Sequence, residues 1–220
     1  MYNCVVNSLK MAGFKHVQNP NWNVCWTGLF KQGRIKNLNS YQKINHFAGS
    51  WCIGRKDQMW RNVQRMRRLY GKPFDIAPTT YIFPEDYKRW QIDREINNFK
   101  YMYIMKPAAS SCGRGIRVIG KKQNVGKRNG YIMSRYVGKP HLLNGKKYDL
   151  RLYVLVTSYD PLKIYLFKDG LVRLATVPYT TSKSSLKQRF IHLTNYSVNK
   201  KAENYVKSLN TEAIACKQDD

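Results

Sequence analysis

Acidic residues are scarce in this chain: its 220 residues carry 13 Asp+Glu against 39 Lys+Arg, a formal charge of +26 at neutral pH. Such an imbalance calls for a polyanionic partner, and nucleic acid, an anionic membrane and an acidic protein tail satisfy it equally, because screened Coulomb attraction is indifferent to what carries the negative sign. Paired cysteines are absent too. Cys4, Cys25, Cys52, Cys112 and Cys216 are odd in number, widely scattered and without a CxxC pair, which suits neither a zinc site nor a disulfide framework. They are expected to be reduced thiols of an intracellular protein. No run approaches the 18 or more apolar residues of a spanning helix, and MYNCVVNSLKMAGFK lacks the apolar core of a secretory signal, so a soluble protein is expected. Internal repeats and low-complexity tracts are also missing.

Catalytic signatures are equally thin. There is no Ser-His-Asp order, no Cys-His pair with a plausible elbow and no zinc spacing, so a protein nucleophile has no support. Neither G-x-G-x-x-G nor G-x-x-x-x-G-K-[ST] occurs.

What is present argues for a folded chain. A hydrophobic fraction of 43% and 16 tyrosines exclude a disordered composition, and the length allows one large domain or two small ones. Residues 1–45, with NPNWNVCWTG at their centre, read as a small subdomain or edge. In residues 46–100 a helix is expected from Arg55 to Tyr70, with Met59, Val63, Met66 and Tyr70 as its apolar face and Gly71 and Pro73 as its stop. Arg61, Arg65 and Arg68 then form a basic stripe, either a solvated face or a binding face. PTTYIFPEDYKRW reads as a loop and a short helix.

Residues 101–220 turn to strands, expected at about 101–106, 116–119, 131–137, 148–159, 163–168 and 171–177, with Lys168-Asp169-Gly170 as a hairpin turn. A strand-rich segment behind a helix indicates α+β rather than a doubly wound parallel sheet. KPAASSCGRGI places Lys106 at a strand end before a glycine-bearing loop, which fits a phosphate or an ordinary basic turn. In KKYDLRLYVLVTSY, alternation puts Lys147, Asp149 and Arg151 on one face, and Leu152 to Val156 read as a buried interior. Arg173, inside GLVRLAT, needs an anion, either a structural carboxylate or a ligand. RFIHLTNYSVNKK packs His192, Thr194, Asn195, Tyr196, Ser197 and Asn199 together, a density of small polar groups that suits a nucleotide or ion site. The residue chemistry alone indicates an ATP-using enzyme or a polyanion binder.

The succession NHFAGSWCIGRKDQMWRN, YIMKPAASSCGRGIRVI, YIMSRYV, KKYDLRLYVLVTSYDPLKIYLFKDGLVRLATVPY and RFIHLTNYSVNKK resembles the polyglutamylase branch of the tubulin tyrosine ligase-like proteins, over residues 41–201. The resemblance implies an ATP-grasp-like α+β fold with largely antiparallel sheet and flanking helices. It also implies an ATP- and Mg²⁺-dependent ligase that joins free L-glutamate to acidic tubulin tails through an acyl phosphate. By the same resemblance, Lys106 and the loop Cys112, Gly113, Arg114 and Gly115 hold phosphates, and Ser134, Arg135, Tyr136 and Val137 form the hinge beside adenine. Lys147, Tyr148, Asp149, Thr194 and Asn195 are further nucleotide contacts. Arg151 and Arg173 carry the catalytic roles, with Arg173, Tyr196, Ser197 and Lys200 near glutamate.

Microtubules in the cytoplasm, cilium or basal body included, are the implied location, with no nucleic-acid or membrane partner. Many relatives carry arginine where this chain has Cys112. The family's late acidic strand, which supplies magnesium ligands, is not found before Asp220, so an incomplete ATP-grasp fold, no metal ligands within the chain and no ligase activity of these residues alone are expected. A noncatalytic basic microtubule-binding module, or a glycine or tyrosine ligase of the same family, is the alternative.

Overall fold

The computed structural model describes residues 3–28 and 32–206. The chain divides into two compact units, one holding the described residues up to Cys52 and the other Ile53–Val206. In the first unit lie α1 (Asn3–Met11), β1 (Val24–Cys25), α2 (Gln32–Ile35) and β2 (Lys43–Ile44), with α3 (Trp51–Gly54) spanning the junction. β1 and β2 pair in parallel. None of its described residues is fully buried. Its order comes from side chains bonded to backbone, as where Asn45 accepts from the Thr27 N–H and donates to the Thr27 carbonyl, both at 3.0 Å.

The second unit begins with α4 (Lys56–Tyr70), β3 (Thr80–Phe83), α5 (Tyr87–Ile96), β4 (Tyr103–Pro107), β5 (Arg117–Ile119) and β6 (Tyr131–Arg135). Its strands form an antiparallel sheet in the order β3-β6-β4-β5. Alternation along each strand sorts the side chains to two faces. On one face Tyr81, Phe83, Tyr103, Met105 and Met133 pack on Trp90 of α5. Trp90 meets the rings of Phe83 and Tyr103 edge-on at 5.5 and 5.8 Å, and its loss would cost about 3–5 kcal/mol. On the other, Ile82 and Ile132 pack with Ala108 on Trp60 of α4. Ile104 and Val118 join Tyr136, Leu193 and Val198 in a third cluster.

A second sheet, β7 (Leu142–Leu143), β8 (Lys146–Tyr159) and β9 (Leu162–Leu174), is also antiparallel. A 3-10 turn at Ser185–Lys187, α6 (Arg189–His192) and α7 (Tyr196–Asn199) follow. The fold is α+β, as the sequence indicated. No helix among the described residues is long and apolar enough to cross a membrane.

Four local expectations are corrected. The buried side of α4 runs through Asp57 and Trp60, while Met59 and Tyr70 are exposed, because the bulky indole docks on the sheet and rotates the helix away from the Met59 stripe. PTTYIF holds a strand, β3, buried along its whole length between two prolines; its run is too short for alternation to be read. Lys168-Asp169-Gly170 is no turn. The chain reverses at Asp160-Pro161, and Gly170 lies in β9 opposite Leu152, where a Cβ would sit 2.6 Å from the Arg151 carbonyl oxygen. Finally, Leu152 to Leu155 are exposed rather than interior, because β8 and β9 project as a two-stranded hairpin.

Candidate active site

Six of the resemblance-derived residues, Lys106, Ser134 to Val137 and Lys147, come together where β4, β6 and the start of β8 meet. A cleft of about 240 Å³ opens there, lined by Lys56, Lys106 and Lys147, by hinge residues Ser134 to Val137, and by Trp60, Ile104 and Ile132 as an apolar floor. No carboxylate lines it among the described residues. Three cations in one partly dry cleft oppose one another's charging. Burial, and then the charge of Lys56, lower the pKa of Lys106. Burial, then Lys106, bring Lys147 down to about 8, against the opposing pull of Asp149. Lys56, lowered chiefly by burial, donates to the Ser110 carbonyl at 2.5 Å and so ties α4 to the start of the glycine loop. Its place at the first position of α4 was the only sequence signal for it, and the sequence reading missed it.

Behind the cleft runs a directed chain of hydrogen bonds. His192 Nε2 lies 3.2 Å from the Ser185 carbonyl, which can only accept, so this nitrogen carries the proton and Nδ1 of the neutral ring accepts. Tyr136 therefore donates to Nδ1 at 2.9 Å, and its oxygen accepts from Lys147 Nζ at 3.2 Å. Burial first, and then the hydrogen bond with Tyr179, push the Tyr136 hydroxyl far up; burial lowers His192. Burial thus favours the uncharged form of both rings.

The segment Ser134 to Val137, expected to form the hinge, has most of its polar groups already engaged. Arg135 and Tyr136 already donate their N–H groups to the Thr79 and Met102 carbonyls, each at 2.8 Å. Arg135 turns its guanidinium to Asp93, at 2.9 and 3.0 Å, and to the face of Tyr101. Ser134 spends its hydroxyl on Thr80 at 2.8 Å. Val137, just past the strand end, is 55% exposed and remains available.

The loop after Lys106 is fastened rather than loose. Cys112, Gly113 and Gly115 all take positive φ, and a Cβ on Gly113 would meet Val198 at 2.9 Å. Ser197 donates to the Cys112 carbonyl and Arg189 to that of Gly113, both at 2.9 Å. The exposed Arg114 sits between the two glycines. Asn199, fully buried, accepts from the N–H and hydroxyl of Thr176 and donates to the Leu193 and Asn195 carbonyls, holding the LTNYS turn against the end of β9.

Asp149 and Arg173 are cross-strand partners and form a two-point ion pair. Burial acts to raise the Asp149 pKa, but Arg173 and Thr194 outweigh it and hold the carboxyl below its usual range. Arg151 follows on the same face and is exposed. Tyr148 points the opposite way, to His141 at 3.1 Å, so only its backbone belongs to the cleft face. Tyr196 is half exposed with the Lys200 ammonium 5.5 Å from its ring centre, and Asn195 immediately precedes α7. No cluster of three or more His, Cys, Asp or Glu able to hold a metal occurs among the described residues. With Asp149 committed to Arg173, these residues do not by themselves fit a magnesium ion.

Comparison with known proteins agrees with this architecture. Tubulin monoglutamylase TTLL4 of Homo sapiens is 44% identical over 97% of this chain and 18% of its own length. Tubulin polyglutamylase TTLL5 of Mus musculus is 41% identical over 87% of this chain and 14% of its own. Tubulin polyglutamylase TTLL13 of Mus musculus is 38% identical over 94% and 26%. The chain thus spans about a quarter or less of the length of these relatives. A solved structure, the C-terminal domain of Pby1 from K. lactis, described as an ATP-grasp enzyme, superposes with a TM-score of 0.53 at 14% identity, over 77% of this chain and 53% of that one. The fold is therefore ATP-grasp-like. Residues 34–219 match the Tubulin-tyrosine ligase family, and the chain belongs to it.

Proposed function

We propose that the chain is the nucleotide-binding part of an ATP-dependent ligase that adds glutamate to glutamate side chains in tubulin tails. The observation that carries this reading is the cleft itself. Three lysines with no lining carboxylate, two of them depressed first by burial and then by a neighbouring ammonium, and the third, Lys56, depressed by burial alone against Asp57, make a site whose charge is relieved by a polyphosphate.

In the reaction, an acceptor carboxylate oxygen attacks the terminal phosphorus as the bond to the ADP oxygen breaks. The glutamate amine then attacks the acyl carbon, and phosphate leaves as the nitrogen loses its proton. Lys56, Lys106 and Lys147 offset the phosphate charge, and Arg151 extends that field along β8. Val137 offers its backbone to the base, with Thr194 and Asn195 closing the far side. Arg173, oriented by Asp149, keeps free N–H donors for the carboxylate of the incoming glutamate, with Tyr196, Ser197 and Lys200 nearby.

Titration of the chain with a fluorescent ATP analogue tests the cleft. Lys106→Ala and Lys147→Ala should each weaken binding about tenfold, the loss of one charge-assisted contact. Affinity unchanged in the Lys56, Lys106, Lys147 triple alanine variant would refute it.

A further inference from the structure

A second, larger concavity holds none of the residues assigned above to nucleotide or glutamate. It measures about 1470 Å³ and follows the free edge of the four-stranded sheet, with β5 and the turn to Gln123 as one wall and residues 181–189 as the other. The volume exceeds the ~300–1,000 Å³ of small-molecule sites and suits a length of chain. Its floor is aliphatic, built from Met102, Ile116, Val118, Leu186 and Leu193. Around it stand six cations: Arg117, Lys121, Lys122, Lys183, Lys187 and Arg189. No carboxylate lines the groove, and none of the six makes an ion pair among the described residues. Among the described residues only Arg189 of the six is partly engaged, through its bond to the Gly113 carbonyl.

We infer that this groove binds an extended, glutamate-rich segment of a partner protein. Glutamate suits both halves of the lining, since its methylenes can lie on the aliphatic floor while its carboxylates reach the rim. An edge strand adds unpaired backbone groups that an extended peptide can use. A single-stranded nucleic acid meets the charge but not the floor, because no Phe, Tyr or Trp lines the groove to stack its bases. His192 forms part of the wall, and through Tyr136 and Lys147 its hydrogen bonds lead into the nucleotide cleft. One hydrogen-bonded chain thus links the groove to the lysine cleft. The choice of glutamate as occupant rests on the ligase reading; the cationic, carboxylate-free groove does not.

Fluorescence anisotropy of the chain with a labelled glutamate-rich dodecapeptide, its Glu→Gln counterpart and a thymidine 12-mer, at one ionic strength, tests the proposal. The glutamate peptide should bind, and the glutamine peptide should not. The exposed triple variant K121Q/K122Q/K187Q should weaken the peptide about tenfold, whereas R61Q/R65Q/R68Q on α4 should change it less than about twofold. Equal weakening by the two triples would reduce the effect to net charge and overturn the groove. Tighter binding of the 12-mer, lost in the groove triple, would make the surface a nucleic-acid site and overturn the peptide. ATP binding to the unaltered chain separates the two readings: ATP bound without peptide refutes the groove alone, and peptide bound without ATP refutes the nucleotide cleft and leaves the groove standing.

Discussion

Lys147 combines a low pKa with a hydrogen bond that fixes its position, and this sets a pH dependence. Burial and the neighbouring Lys106 bring its pKa down to about 8 from the ordinary lysine 10.5, so in the free protein the ammonium is present below pH 8 and lost above it. A bound triphosphate favours the charged form, so affinity must fall as pH rises through 8. The terminal phosphate, with its second pKa near ~6, is already ionised there and adds no slope. Between pH 7 and 9 the ATP dissociation constant should rise about tenfold, the one-proton limit. Lys147→Arg keeps its charge and should flatten that rise, as titrations at fixed ionic strength will reveal. An unaltered slope in the arginine variant would move the titrating group elsewhere. Tyr136 belongs to the same residue-level argument. A phenol that receives from Lys147 and gives to His192 fixes where the ammonium sits, and Tyr136→Phe should weaken ATP by a few-fold, about 0.5–1.5 kcal/mol, with the fold intact by circular dichroism.

At the scale of the elements, the long hairpin separates what pattern reveals from what it hides. Period-two alternation correctly put Lys147, Asp149 and Arg151 on one face, because that is a property of any strand. Composition could not tell a glycine that turns the chain from one that lets two strands approach. Asp-Gly after a lysine satisfies the turn rule, yet Gly170 is flat in β9 against the Arg151 carbonyl. Likewise Lys106 and its glycines were legible as a local cluster, but Lys56 was not, since only tertiary packing brings the start of α4 to that cleft. Ser134 to Val137 were legible as one strand-end segment, whereas the commitment of Arg135 to Asp93 depends on a contact 42 residues away in sequence. The reading of Gly170 can be checked by urea denaturation. Gly170→Ala forces a Cβ toward backbone that cannot swing aside and should cost about 1–3 kcal/mol. Gly126→Ala, with nothing within 4 Å, should stay within about 0.5 kcal/mol. Equal, small effects would restore Gly170 to a loose turn.

For the whole molecule, two features oppose each other in solution. The formal charge of +26 keeps copies apart. Against it stands the hairpin, where Val154, Leu155, Tyr165 and Leu166 are each more than half exposed. Leu155 pairs across the ladder with Tyr165, and Val154 with Leu166, so apolar pairs are present on both faces of a two-stranded ribbon with unpaired edges. Which feature wins depends on ionic strength. At ~0.1 M salt the Debye length is ~10 Å and repulsion reaches across a contact; at ~1 M it is ~3 Å and the apolar ribbon dominates. Self-association should therefore increase with sodium chloride, the reverse of what a charge-paired assembly would do. Sedimentation velocity of the chain at the two salt concentrations reads this directly. The double variant L155K/L166K, one substitution per strand and per face, should keep the chain monomeric at both, with its thermal transition shifted little because neither side chain is in the core. Association that persists in the variant would place the contact away from the hairpin, and association that weakens with salt would make it electrostatic.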